Sequence, residues 1–197
     1  MKNSDIFMIT AKPEEVEIDR NELAHRLGVA RTYNDEIIDR CRKRLMNFIG
    51  YKCAYIRVPV DLSMKNVCDF GFMRAESKNL YKNLGGCREA FVFAVTAGIA
   101  VDRELARLQI ISQAEHFVTD AIASAAVDSF CGEAAAEMKK GLRCAPRFSP
   151  GYGDLSLTLQ APLLQRLNAF ELLGITLGST YLMTPMKSIT AIMGIRE

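Results

Sequence analysis

Residues 88–97 read Arg88-Glu-Ala-Phe-Val-Phe-Ala-Val-Thr-Ala97, and this stretch decides the fold. From Ala90 to Val95 the run is apolar without a break, in side chains that suit a pleated backbone. A strand with one wet face would alternate apolar and polar residues, so this run predicts a strand buried on both faces. Upstream, 54–62 (Ala-Tyr-Ile-Arg-Val-Pro-Val-Asp-Leu) predicts another strand, and Pro59 places it at a sheet edge. Val67–Phe72 is a further strand candidate, followed by a short helix over Ser77–Leu84 closed by Gly85-Gly86. Downstream, Asp102 is read as the cap of a helix to Ile111, and Gln113–Lys140 as one long helix ended by Gly141. Its small residues, among them Ala121, Ser124, Ala125, Ala126 and Ala134, allow close approach of neighbouring backbone. Ser156 caps a last helix to about Leu173, ended by Gly174, and strand-like pieces at Thr180–Met183 and Ser188–Ile195 follow.

At the N-terminal end a short apolar stretch, Ile6–Ile9, precedes Val16-Glu17-Ile18. Asp19 with Glu22 three residues on is a variant of the capping box, opening a helix with Leu23, Ala24 and Leu27 on one face and Gly28 as its stop. A second helix starts near Asn34 and carries Ile37, Ile38, Cys41, Leu45, Phe48 and Ile49 at helical spacing to Gly50. Its outer face holds Arg40, Arg42, Lys43 and Arg44, either a solvated face or a docking patch for an acidic partner. Strands and helices come in mixed order without βαβ regularity. The expected class is α+β, a twisted, mainly antiparallel sheet with several long helices. No repeat or linker divides the chain, so 1–197 reads as a single domain.

The chain has 197 residues, 25 basic and 23 acidic, a formal net charge of +2. That balance argues against a nucleic-acid binder. No apolar run reaches the roughly 18 residues of a membrane span, and MKNSDIFMIT lacks the form of a secretory signal, so the expected location is cytoplasmic with no membrane partner. Cysteines stand at 41, 53, 68, 87, 131 and 144, never as C-x-x-C and never beside a histidine. They read as reduced, mostly buried thiols, and no metal site is expected. With only His25 and His116, the chain is poor in groups for acid–base work at neutral pH, and no catalytic residue is assigned. No nucleotide-binding glycine motif follows a strand, and Gly151-Tyr152-Gly153 is a weak match. Thr184-Pro-Met-Lys187 superficially resembles a nucleophile-x-x-Lys pair, but its companion motifs are missing.

The segment rich in chemistry is Arg147-Phe-Ser-Pro-Gly-Tyr152. Arg147 offers a planar fork suited to a carboxylate. Pro150 sets a turn, Gly151 lets a ligand approach the backbone, and Tyr152 supplies an aromatic face. Amides and carbonyls around Ser149 can pair with a heterocycle. The bland alternative is a surface loop whose arginine caps the preceding helix.

This loop, with the helix DAIASAAVDSFCGEAAAEM before it and MTPMKSITAIMGI after it, resembles the activation (reactivation) domain of vitamin B12-dependent methionine synthase. The resemblance is clearest over residues 88–195 and rests on Arg147-x-x-x-Gly151-Tyr152 in its ordered context. It implies an S-adenosylmethionine site to which Arg147, Ser149, Gly151 and Tyr152 contribute: Arg147 at the ligand carboxylate, Ser149 through its backbone, Gly151 by close approach, Tyr152 as the loop wall. It further implies a stand-alone reactivation subunit of the methyltransferase system of methionine biosynthesis. Such a subunit acts in trans on a cobalamin-binding methionine synthase subunit or other corrinoid protein. It supports reductive remethylation of cob(II)alamin with an electron from a flavodoxin-like donor. Two alternatives remain: a non-catalytic interaction module that docks on a corrinoid methyltransferase without S-adenosylmethionine, and an independent methyltransferase with its own acceptor.

Overall fold

A computed structural model describes residues 6–28 and 35–196. Strand β1 (Phe7–Ala11) and a 3-10 turn (Pro13–Glu15) lead to helices α1 (Arg20–Leu27) and α2 (Asp35–Leu45). Next come β2 (Tyr51–Pro59), the hairpin β3 (Val67–Asp69) and β4 (Arg74–Glu76), α3 (Lys78–Asn83) and β5 (Cys87–Thr96). Helices α4 (Ile99–Ile111) and α5 (Gln113–Met138) precede β6 (Arg143–Cys144). A second 3-10 turn (Leu157–Leu159), α6 (Gln160–Arg166), α7 (Ala169–Leu173), the small ribbon β7 (Thr176–Leu177) and β8 (Met183–Thr184), and β9 (Ser188–Arg196) complete the order.

The main sheet runs β1-β2-β5-β9-β6, with every neighbouring pair antiparallel. β5 is its middle strand, which explains the unbroken apolar run. Phe91, Phe93 and Val95 pack with Val118, Ile122, Ala125 and Phe130 of α5 on one face. Ala90, Val92 and Ala94 pack with Leu80 of α3, Leu163 of α6 and Leu173 of α7 on the other. The sheet therefore lies between two helical layers, an α+β fold as expected. Small residues let α5 sit close: Ala121, Ala123, Ala125, Ala126, Ala134 and Ala135 are all buried.

Several local expectations change. β2 is an interior strand, and Pro59 is its last residue, where the pairing with β1 (Tyr51–Tyr55) has already ended. A missing N–H costs nothing on that side. Asp19 caps α1 by accepting from the amides of Asn21 (2.7 Å) and Glu22 (3.3 Å), but Glu22 turns to Arg26 (2.8 Å) instead of closing the box. Helix α2 ends at Leu45, short of Gly50; its proposed start at Asn34 lies outside the described residues. Helix α4 begins at Ile99 with Gly98 (φ 91°) ahead of it, so Asp102 is no cap. Its carboxylate accepts from the amide of Met186 at 2.7 Å. The helix expected over 156–173 breaks at Asn168, whose φ of 48° ends α6 and starts α7. Only Met183 of the 180–183 segment is strand.

Two of the four basic residues on α2, Arg40 and Arg44, pair within the fold, while Arg42 and Lys43 are exposed. Arg44 bridges Glu104 of α4 (2.6 Å) and Glu115 of α5 (3.2 Å), and Arg40 also reaches Glu115 (3.0 Å). Glu104, only 3% exposed, is held from its other side by Arg107 at 2.8 Å. The arginines thus tie α2 to α4 and α5. Of the described cysteines, five are buried and Cys144 is half-buried. No described helix is long and apolar enough to cross a membrane.

Candidate functional site

The loop after β6 continues along β9 as a ragged edge. Ala145 donates to Gly194 O (2.8 Å), and Phe148 and Ile192 exchange amide hydrogen bonds at 2.9 and 2.8 Å. This pairing fixes Arg147 and Phe148 beside the sheet. Beyond Pro150 the chain turns back: Gly151 (φ 91°) donates to Leu155 O at 2.8 Å, and Tyr152 donates to Ser149 O at 3.1 Å. Such a φ suits glycine, and a Cβ there would lie 3.2 Å from the Leu157 side chain, so Gly151 serves this turn. Asp154 then pins the loop to α3, accepting from the Ser77 hydroxyl and from the amides of Lys78 (2.8 Å) and Asn79 (3.2 Å). These bonds, led by the one from Ser77, hold its carboxyl below the usual range.

Between this loop and α5 lies a cleft of about 600 Å³, within the range of small-molecule sites. Its floor is the first half of β9, Ser188–Ala191. Ser124, Val127 and Asp128 of α5 form one wall, and Arg147, Phe148, Ser149, Pro150 and Tyr152 another. Arg26 of α1, Gln160 of α6, and Met183, Met186 and Lys187 complete it. The contact of Met186 with Asp102 fastens the last of these segments to α4. Three residues singled out in the sequence, Arg147, Ser149 and Tyr152, thus share one cleft.

The cleft is bipolar. Toward α5 it is charged: Arg147 donates to the Cys131 thiol, Arg26 pairs with Asp128, and Lys187 pairs with Asp120 (2.8 Å) and donates to Ser124 (2.8 Å). Lys187 is only 12% exposed, so this ammonium is held in place rather than waving in solvent. Burial pushes the Cys131 thiol up, against the opposing effect of Arg147. On the far side, Phe148 and Met183 pack against the core under α6 and α7. Gln160 stands there too, 5% exposed, and its Oε1 has no hydrogen-bond partner among the described residues. Tyr152, 69% exposed, forms the outer lip.

Arg26, Asp128, Gln160 and Lys187 were not singled out as site residues. Arg26 and Asp128 stand on helices with no motif around them, and Gln160 follows a capping serine like any early helical residue. Lys187 has a signal, the Thr-x-x-Lys spacing, which is set aside for want of companion motifs. Among the described residues no group of His, Cys, Asp and Glu is arranged to hold a metal ion.

Helices clasping both faces of an antiparallel sheet define the α+β class, and the cleft along β9 has the size of a small-molecule binding site. Within that class the chain has the fold of a reactivation domain. The crystal structure of the MetH reactivation domain bound to AdoHcy is similar to it with a TM-score of 0.71 over 97% of this chain and 78% of that one. The two are 12% identical, so the likeness is one of fold. No family model and no curated protein matches the chain.

Proposed function

We propose that the cleft binds S-adenosylmethionine and its demethylated product, and that the protein is a reactivation subunit for a cobalamin-dependent methionine synthase or other corrinoid protein. One observation carries the reading: the bipolar cleft, on a fold whose solved relative holds AdoHcy. Arg147 and Lys187 suit a ligand carboxylate, Asp128 an ammonium group, and Phe148 with Met183 the flat face of a purine. Methyl transfer from the sulfonium to cobalt, with an electron from a flavodoxin-like donor, is chemistry supplied by the partner's corrinoid. This chain's residues orient the ligand and neutralise its charges. That division suits a cleft without a histidine.

The test is calorimetric titration with S-adenosylhomocysteine and S-adenosylmethionine, with Arg147→Ala alongside. Losing one charge-assisted fork should weaken binding by about 1.5–3 kcal/mol, roughly ten- to a hundred-fold. Binding insensitive to Arg147 would move the site elsewhere. A second reading has its own observation: Arg26–Asp128 and Lys187–Asp120 already pair charges at the cleft. If the protein binds neither nucleoside, alone or with a corrinoid partner, the interaction module that docks without a ligand is the better account.

A further inference from the structure

Gln160 brings to the cleft a buried acceptor for which the described residues supply no partner. It opens α6, its side chain is 95% buried by its 5% exposure, and it lines the cleft. Yet its Oε1 is closed off from solvent with no partner among the described residues. A buried amide that merely filled space would be replaced without loss by an apolar side chain, because its acceptor is unmet. Phe148 and Met183, which line the same cleft and pack against the core that α6 and α7 share, are a flat aromatic and a polarisable thioether, surroundings that suit a planar ring. The torsion of a terminal amide is broad, so a small rotation turns the unmet oxygen onto a ring lying against this wall.

Resting on the reading above, we infer that Gln160 is the specificity-determining residue for the base: its amide recognises a 6-aminopurine. A glutamine amide presents one acceptor and one donor side by side, and adenine answers with its N6 amine and an adjacent ring nitrogen. The oxygen takes the exocyclic N–H, and the amide nitrogen donates to the ring. A purine lacking the 6-amino group satisfies only the donor and strands the buried oxygen. Sites built to pair with a polar group reject analogues without it far more strongly than apolar pockets reject a missing methylene.

The experiment titrates S-adenosylhomocysteine and its 6-deaminopurine counterpart into the full chain and into Gln160→Met, which keeps the length of the side chain. The unsubstituted protein should prefer the adenine form by tenfold or more. Gln160→Met should weaken the adenine form, which loses both bonds, more than the deamino form, which loses only the donor and no longer strands the oxygen, and so erase the preference. The melting temperature of Gln160→Met without ligand should hold or rise, since an unpaired buried amide is removed; Gln160→Leu offers a second shape for the same test. A preference that survives in the variants, or none in the unsubstituted protein, overturns the assignment while leaving the nucleoside site standing. Failure of both compounds to bind the unsubstituted protein overturns the assignment together with the reading it rests on.

Discussion

Arg147 and Cys131 meet at the wall of the cleft: the guanidinium of an exposed loop arginine donates to a thiol buried on α5. The loop and the long helix therefore meet through the residue proposed to take the ligand carboxylate. Arg147→Lys keeps the charge but loses the planar fork, so it should bind S-adenosylhomocysteine no better than about tenfold more weakly than the unsubstituted protein. Full affinity in Arg147→Lys would show that only a point charge is needed.

Asp154 governs the same loop from its other end, through Ser77 and the first amides of α3. Its native carboxyl titrates lower than the ordinary value of 3.8, so its contribution is present above that value and is lost as pH falls through the lowered native one. Asp154→Asn should therefore melt below the unsubstituted protein at neutral pH, and the gap should close as the pH is taken down through the carboxylate range. A gap independent of pH would assign the effect to packing.

Glu104 sits between Arg44 and Arg107 with its carboxylate buried. Glu104→Ala unpairs Arg107 and leaves Arg44 only Glu115, and both arginines are exposed enough to recover water, so the loss should be about 2 kcal/mol rather than the 3–5 of a fully buried pair. A lowered denaturant midpoint at unchanged slope is the readout.

The six thiols should react with Ellman's reagent in sharply different ways before and after unfolding. Burial pushes Cys68 up to about 11 and raises Cys53, Cys87 and Cys131 as well, so little thiolate exists at pH 8. Among the described residues only the half-buried Cys144 has access to reagent. At most one rapid equivalent is expected from the native protein.

Gly194 lies on β9 opposite Ala90 of β5, and a Cβ there would come within 2.6 Å of the Cys87 sulfur and 2.8 Å of Leu84. Gly194→Ala should cost about 1–3 kcal/mol by overpacking, and Cys87→Ala in the same chain should return part of it. Additive losses would place the strain elsewhere.

The middle of the sheet was legible because β5 needs both faces dry, which writes a continuous apolar run that no other element shares. The length of α5 and the turn at Gly174 were legible for similar local reasons. Pro59 misled because its edge-like chemistry is satisfied just as well at the end of an interior strand. Asp102 misled because an acid early in a helix reads as a cap, while its partner is an amide 84 positions away. The same distance hid half of the cleft. Arg147, Ser149 and Tyr152 are local to one loop, whereas Arg26, Asp128 and Gln160 join them only through the packing of three separate helices.

Strand β9 has one further consequence. Its residues from Ala191 to Ile195 are core, while its first four line the cleft, and it is paired with β5 from Ser188 to Arg196. The floor of the cleft cannot be remoulded without unzipping the centre of the molecule. A molecule settling there meets a surface that is already shaped, so the heat-capacity change of binding should be small and scale with the apolar area covered, with no contribution from coupled folding.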